Sequence, residues 1–197
     1  MTFEQIKERL KSKTVGIAGC GGLGSNCAIS LARAGIGTLI IADFDVVSES
    51  NLNRQYYFHS QIGLKKVDAL RENISGIEPG IKIFPFEIRL ARNNITRVFK
   101  DCDVIIEAFD LADQKEILIE TVLSEMPEKY MVVGIGMAGW GKNELIHTRK
   151  IGKMFICGDE VSEIDNELPP IAPRVGIVAN MQANVALEIL LSELNSK

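Results

Sequence analysis

The sequence predicts an α/β protein with a doubly wound, mainly parallel sheet. Short apolar runs typical of buried strands alternate with segments of helical periodicity through the first two thirds of the chain. This alternation implies right-handed crossovers, which place successive strands parallel to one another. A chain of 197 residues is long enough for one well-packed domain. We therefore expect a single domain over residues 1–197.

The predicted strands are short apolar runs bounded by turn residues, over residues 14–18, 38–42, 81–88, 103–108, 131–135, 145–149 and 154–157. The predicted helices carry apolar residues at helical spacing, over residues 1–10, 25–34, 65–77, 93–99, 114–124 and 174–194. We expect the last two strands to be antiparallel additions to the sheet. Residues 159–173 are acidic and rich in proline, which predicts an exposed loop before the closing helix.

Composition excludes several classes of protein. The formal net charge of −4 gives no global attraction to nucleic acid or to anionic lipid, so we expect neither as a partner. The N-terminus does not resemble a signal peptide, and polar side chains interrupt the apolar run near the C-terminus, so we expect no membrane span. The cysteines are widely spaced, which argues against zinc and disulfides and favours a cytoplasmic location. They are Cys20, Cys27, Cys102 and Cys157.

A glycine turn joins the first strand to the second helix, with the spacing Gly19-x-Gly21-x-x-Gly24. Glycines let the backbone approach a phosphate, and the start of a helix offers free N–H groups. Asp43 follows about twenty residues later, where a carboxylate binds ribose hydroxyls. The pattern predicts a Rossmann-like nucleotide site. At this point an NAD-dependent oxidoreductase, or glycines that serve only a tight junction, remain open.

The loop after the second strand is the least generic stretch of the chain. Asp43 and Asp45 end the strand, and Asn51, Arg54 and Gln55 follow within the loop. In an open parallel sheet, ligands bind beyond the carboxyl ends of the strands, which is where these side chains are expected. A guanidinium offers two parallel N–H donors to a phosphate.

Two further charged residues follow later strand ends. Lys66 starts the helix after the loop, where an ammonium reaches the same phosphates. Asp110 stands at the tip of the fourth strand and offers the hard oxygen that magnesium prefers. Taken singly, Arg54 could be a surface cation, Lys66 an exposed helix residue and Asp110 a helix cap. Together they favour an adenylate-forming site over an oxidoreductase.

These residues resemble the ThiF/MoeB family, relatives of the ubiquitin-activating enzymes. The chain's length and its lack of paired cysteines most resemble a short thiamine-biosynthesis ThiF subfamily. The matching segments, by their sequence here, are GCGGLGS (19–25), DFD (43–45), SNLNRQ (50–55), GLKK (63–66), Asp110, APRVGI (172–177) and MQA (181–183).

The resemblance implies a ThiF-type nucleotide-binding adenylation domain that activates the C-terminal glycine of a small ubiquitin-like sulfur carrier ending in Gly-Gly. It further implies ATP and Mg²⁺ as cofactors, no zinc, and a homodimer. Asp43 would bind ribose, and Arg54, Lys66 and Asp110 would be catalytic, with Asp110 as the magnesium ligand. The other implied nucleotide-binding residues are Gly19, Gly21, Gly22, Gly24, Asp45, Asn51 and Gln55, beside Arg54 and Lys66 themselves.

The sequence departs from the family in ways that leave alternatives open. The family's N-terminal Arg-Tyr-x-Arg-Gln segment is absent, and Arg9 is the only arginine in the first helix. No cysteine lies between residues 160 and 173, so Cys157 is the nearest thiol, either a nucleophile or a core residue. The alternatives are an activating enzyme for a molybdopterin carrier or a tRNA base, an inactive nucleotide-binding scaffold, and an NAD-dependent oxidoreductase.

Overall fold

The computed structural model describes residues 1–192, and its elements follow the predicted alternation. The strands are β1 (Thr14–Ala18), β2 (Thr38–Asp43), β3 (Lys82–Glu87), β4 (Val104–Glu107), β5 (Tyr130–Gly134), β6 (His147–Ile151) and β7 (Met154–Gly158). The helices are α1 (Phe3–Leu10), α2 (Gly22–Ala34), α3 (Lys66–Ile77), α4 (Arg92–Phe99), α5 (Ala112–Glu125) and α6 (Ala172–Ser192).

The strands form one sheet in the order β3-β2-β1-β4-β5-β7-β6. Strand β1 is parallel to β2 on one side and to β4 on the other. The order of the strands along the chain therefore reverses at the carboxyl end of β1, and ligands of open α/β sheets bind at such a switch point. The predicted doubly wound, mainly parallel fold is confirmed.

One detail of the predicted sheet is wrong. Among the strands of residues 1–192, only β6 is antiparallel, because β7 pairs in parallel with β5 from Met131↔Met154 to Gly134↔Cys157. The tight turn at Gly152, where φ is +60°, makes β6 and β7 antiparallel to each other. The chain after β5 first crosses to the edge to form β6, and it then returns through β7 in the direction of β5. From the sequence, the short turn between β6 and β7 indicates that these two strands pair with each other. It does not indicate which of the two pairs with β5.

Helices cover both faces of the sheet, as the alternation of side chains along each strand requires. In β1, Ile17 packs on the face covered by α1, α2, α3 and α6, whereas Ala18 packs on the face covered by α4 and α5. Ile41 and Ile40 of β2 divide in the same way. Each face of the sheet therefore has its own apolar core.

The closing helix α6 begins slightly earlier than the predicted residues 174–194. Pro173 lies in its first turn, where the missing N–H group costs no intrahelical hydrogen bond. Its predicted end at Leu194 lies outside the described residues. By length and composition α6 could cross a membrane. Its Val178, Ala179 and Gln182 are nevertheless buried in the fold, which is what a core helix requires.

Candidate nucleotide-binding site

A cleft of about 450 Å³ opens at the carboxyl end of the sheet, at the switch point beside β1. It collects side chains and glycines that lie far apart in the sequence. The predicted site residues that line it are Gly19, Gly21, Gly22, Asp43, Asp45, Arg54, Gln55, Lys66 and Asp110. The structure therefore brings nine of the predicted site residues together at one cleft.

The glycines of the turn serve different purposes. Gly19 has φ of +96°, and a Cβ on it would lie 2.8 Å from the carbonyl oxygen of Ala108. A Cβ on Gly24 would lie 1.8 Å from the carbonyl oxygen of Gly19, so Gly24 shapes the turn and does not line the cleft. A Cβ on Gly21 would meet only the Gln55 amide, at 3.8 Å. The protein's own packing does not require glycine at Gly21, whereas the close approach of a phosphate would.

Asp43 fastens the glycine turn to the tip of β2. Its Oδ2 accepts a hydrogen bond from the Cys20 N–H at 2.6 Å, and its Oδ1 accepts one from the Asp45 N–H at 2.8 Å. The side chain is largely buried but still borders the cleft. Each carboxylate oxygen can accept a further hydrogen bond, so this contact with the turn leaves capacity for a ligand hydroxyl.

Lys66 is held at the cleft by Asp45. Its Nζ lies 2.8 Å from Asp45 Oδ2, and the residue is only 6% exposed. Its backbone N–H also donates to the Asp45 carbonyl oxygen at 2.9 Å. A buried ammonium with one carboxylate partner has two N–H donors left for a phosphate.

The loop that carries Arg54 is attached to the start of α2. Asn26 Nδ2 donates to the Arg54 carbonyl oxygen at 2.9 Å, and Ser25 Oγ accepts from the Tyr56 N–H at 2.9 Å. Arg54 Nη1 donates to the Ser50 carbonyl oxygen and to Asn53 Oδ1, at 3.0 and 2.7 Å. Its other N–H groups remain available to a ligand at the cleft.

Two polar side chains of the loop differ in their roles. Gln55 borders the cleft, and its Oε1 is buried with no hydrogen-bond partner among the described residues. Such an atom costs free energy unless a ligand or water satisfies it, so Gln55 fits a binding role. Asn51 does not line the cleft, since its Oδ1 caps a 3₁₀ turn by accepting from the Ser48 N–H at 3.0 Å.

Several supporting residues were missed by the sequence analysis. Ser25 and Asn26 link the glycine turn to the loop, as described above. The buried Tyr57 hydroxyl donates to the Cys20 carbonyl oxygen at 2.7 Å. Polar residues near the start of an apolar helix, and two tyrosines after the Arg54–Gln55 pair, were the available signals. Arg9 lies on the exposed side of α1 and does not border the cleft.

Asp110 is the exposed acid at the mouth of the cleft. Within residues 1–192, no group of three or more histidine, cysteine, aspartate or glutamate side chains could hold a metal ion. Magnesium is commonly bound by one or two carboxylates together with the phosphates of its substrate. A single exposed carboxylate at the mouth of the cleft fits that arrangement.

A buried ion pair supports two segments that border the cleft. Arg174 and Asp159 are both at least nine-tenths buried, with Nη2 and Oδ2 2.5 Å apart, and Arg174 Nη1 donates to the Gly141 carbonyl oxygen. Burial alone would raise the pKa of Asp159. Hydrogen bonds from Ser162, from the Val161 N–H and from Arg174 outweigh burial and lower that pKa to about 2.

This ion pair joins the two segments that supply the apolar residues of the far wall. One is the glycine-rich stretch after β5, residues 135–141, and the other is the acidic loop, residues 159–171. Their residues at the cleft are Met137, Ile164 and Pro170. The predicted exposed loop therefore also contributes to the site.

Cys157 is fully buried in β7 and does not border the cleft. Burial raises the pKa of its thiol to about 11, and a hydrogen bond with the Thr148 hydroxyl lowers it only in part. A reactive cysteine needs an accessible thiolate. The structure gives no support to a nucleophilic role for Cys157.

Comparison with known proteins gives a consistent result. The ThiF family matches residues 2–197. Adenylyltransferase and sulfurtransferase UBA4 of Candida glabrata is 28% identical over 196 residues, which cover 96% of this chain and 45% of that protein. Probable adenylyltransferase/sulfurtransferase MoeZ of Mycobacterium tuberculosis is 42% identical over 105 residues, which cover 53% of this chain and 27% of that protein. The chain therefore spans less than half the length of these curated relatives.

Solved structures share the fold. The E. coli tRNA N6-threonylcarbamoyladenosine dehydratase TcdA, in complex with ATP, superposes with a TM-score of 0.88 at 20% identity, covering 98% of this chain and 92% of that one. E. coli MccB with ATP superposes with a TM-score of 0.71 at 19% identity, covering 94% of this chain and 57% of that one. At these identities the likeness shows a common architecture.

Proposed function

The chain belongs to the ThiF family, and from this premise we propose that it is an ATP-dependent adenylyltransferase. Its substrate is the terminal carboxylate of a small ubiquitin-like sulfur carrier ending in Gly-Gly. The observation that carries the proposal is one cleft that combines the glycine turn with Arg54, Lys66 and Asp110. Relatives named as adenylyltransferases and fold neighbours crystallised with ATP support it.

In the proposed reaction, a carboxylate oxygen of the carrier attacks the α-phosphorus of ATP. The bond between that phosphorus and the bridging oxygen of the β-phosphate breaks, which gives an acyl-adenylate and pyrophosphate. The nucleophile is already ionised, so no general base is required. The residues of the cleft then have to align the phosphates and stabilise the charge that develops on them.

Backbone N–H groups and side chains of the cleft have separate roles in this reaction. The free N–H groups at Gly21 and Gly22 face the phosphates, and Lys66, fixed by Asp45, supplies a positioned ammonium. The unused N–H groups of Arg54 stabilise the departing pyrophosphate. Asp43, at the base of the turn, accepts hydrogen bonds from the ribose hydroxyls.

The charges in the cleft favour a divalent cation with the nucleotide. Three carboxylates, on Asp43, Asp45 and Asp110, stand against two cations, on Arg54 and Lys66. These side chains alone do not neutralise a triphosphate. Magnesium, held by Asp110 and by phosphate oxygens, would supply the missing positive charge.

The finer identity of the substrate is part of the proposal. We propose a carrier of thiamine thiazole biosynthesis, from the short ThiF subfamily that the sequence resembles, with a homodimer in the cytoplasm as the working form. A second candidate is activation of a modified tRNA base, which the fold likeness to TcdA favours. The net charge of −4 gives no attraction to RNA, so the protein carrier is preferred.

The test is ATP–pyrophosphate exchange with magnesium, with and without a carrier that ends in Gly-Gly. We expect exchange that depends on the carrier and falls at least about a hundredfold in Arg54→Ala and in Asp110→Ala. Arg71→Ala is the matched control for Arg54, on the exposed side of α3. Asp101→Ala is the matched control for Asp110, because the exposed Asp101 precedes β4 and so lies at the opposite end of that strand from the cleft. If the protein binds ATP but shows no exchange with any protein carrier or tRNA, the proposed enzymatic activity is contradicted. The protein would then be interpreted as a nucleotide-binding scaffold.

A further inference from the structure

We propose that the largely buried ion pair between Glu107 and Lys115 positions Asp110, the residue assigned to magnesium in the proposed function. The inference rests on that function. It concerns two residues outside the predicted site, neither of which is among the described residues that line the cleft. Three observations carry it: where the pair lies in the chain, which groups its polar atoms bind, and what surrounds the carboxylate of Asp110.

The ion pair spans the turn that carries Asp110. Glu107 is the last residue of β4, and Lys115 lies at the end of the first turn of α5. Between them, residues 108–111 leave the strand and enter the helix, with Asp110 at the mouth of the cleft. A contact between Glu107 and Lys115 therefore closes this turn from both ends.

The Glu107 carboxylate binds the turn directly. Its Oε1 accepts a hydrogen bond from the N–H of Phe109, the residue before Asp110, at 2.7 Å. Lys115 Nζ lies 2.9 Å from Oε1 and 2.8 Å from Oε2, which orients the carboxylate toward that N–H. Burial raises the pKa of the fully buried Glu107 carboxyl, and the Lys115 ammonium opposes this shift. The carboxylate therefore depends on Lys115 to stay ionised in this position.

The donors of the Lys115 ammonium are all occupied. An ammonium has three N–H donors. Those of Lys115 are directed at the two Glu107 oxygens and at the Gly134 carbonyl oxygen, the last at 2.9 Å. Gly134 ends β5, which neighbours β4, so this one side chain joins α5 to the ends of two strands. Such a lysine fits a positioning role and not a contact with ATP.

The surroundings of Asp110 leave its placement to the turn. Its side chain is exposed and makes no hydrogen bond or ion pair within residues 1–192. Its position therefore depends on the backbone that carries it. Groups that orient a metal ligand are typically worth about 10–100-fold in metal affinity or activity. Replacing a buried ion pair by apolar residues of similar volume is often neutral for stability, so stability alone does not account for Glu107 and Lys115.

The test compares ATP binding with magnesium and with a chelator. Isothermal titration gives the magnesium factor, which is the ATP affinity in Mg²⁺ divided by the ATP affinity in EDTA. Glu107→Leu combined with Lys115→Met replaces the pair by apolar side chains of similar volume. We expect the magnesium factor to fall about tenfold in this apolar replacement, with little change of the affinity in EDTA. A merely structural role would weaken binding equally in both conditions and leave the factor unchanged.

Further variants make the result specific. Asp110→Ala should lower the magnesium factor to a similar extent, and adding the apolar replacement to it should cause no further loss, because the pair acts through Asp110. Arg92→Met with Glu120→Leu is the matched control, since it removes an exposed ion pair between α4 and α5 and should keep the wild-type factor. If the apolar replacement does not fold, Lys115→Met takes its place with the same expected loss, because the buried Glu107 can then bind a proton.

The outcomes separate this inference from the proposed function. An unchanged magnesium factor in the apolar replacement, or a further loss when it is added to Asp110→Ala, would overturn the positioning role and leave the adenylyltransferase in place. A wild-type factor in Asp110→Ala would contradict the assignment of magnesium to Asp110, and the positioning role with it. A wild type that binds ATP in neither condition would contradict the proposed function itself.

Discussion

The ion pair between Asp159 and Arg174 offers a sharp quantitative prediction. Arg174→Met removes the guanidinium while keeping most of the apolar volume. The Asp159 carboxylate then stays buried without its cation, which costs about 3–5 kcal/mol in proteins. Hydrogen bonds from Val161 and Ser162 to Asp159 Oδ1 remain, so the lower end, about 3 kcal/mol, is expected. In a chain of this size that lowers the thermal midpoint by about 6–12 °C.

The matched control is Arg149→Met. Arg149 pairs with Glu160, one residue after Asp159, but the Arg149 side chain is 48% exposed where that of Arg174 is 4% exposed. An exposed pair contributes less than about 1 kcal/mol. Thermal unfolding followed by circular dichroism at neutral pH compares the two variants. Equal decreases of the thermal midpoint in the two variants would refute the reasoning, because burial would then have no effect on how much an ion pair contributes to stability.

Acid should weaken the same contact in the wild type. The pKa of Asp159 is lowered from 3.8 to about 2 in the folded protein. The carboxylate therefore contributes stability that is fully present above the unfolded value and is lost as the pH falls through the folded value. The wild type should lose its advantage over Asp159→Asn between about pH 4 and pH 2. A constant difference between the two across that range would contradict the lowered pKa.

Further predictions concern the glycines and the thiol. Gly24→Ala should destabilise by about 2–3 kcal/mol, because its Cβ would strike the Gly19 carbonyl oxygen. Gly76→Ala, in α3 with open space around it, should stabilise by about 0.5 kcal/mol, and urea unfolding compares the pair. Cys157 should resist alkylation by iodoacetamide at pH 8 until the protein is unfolded; modification of the native protein at the rate of a free thiol would contradict its burial.

The sequence predicts features that depend on local pattern. Gly19, Gly21 and Asp43 were found because a tight turn and a strand end leave fixed spacings. Strand order was less accessible, since the short turn at Gly152 shows that β6 and β7 are antiparallel to each other but not which of them pairs with β5. The parallel pairing of β7 depends on the path of the chain after β5.

Roles that depend on tertiary surroundings could not be predicted. Asn51 has the residue type of a phosphate ligand, but the fold directs its carboxamide to cap a turn. Gln114 looks like any polar residue at the start of a helix, and only the fold shows that it borders the cleft. Asp159 lies in an acidic loop and Arg174 lies in the first turn of α6. Their spacing in the sequence does not indicate that they form a buried ion pair, which only the fold brings about.

The most direct test of the account follows the α-phosphate of ATP. The wild type is incubated with magnesium, a carrier ending in Gly-Gly, and ATP labelled either at the α-phosphate or at the γ-phosphate. The account predicts that the carrier gains label from the α-phosphate only, that label from the γ-phosphate leaves as pyrophosphate, and that Arg54→Ala abolishes both. Label transferred from the γ-phosphate, or ATP bound with no label reaching the carrier, would contradict adenylation by this cleft.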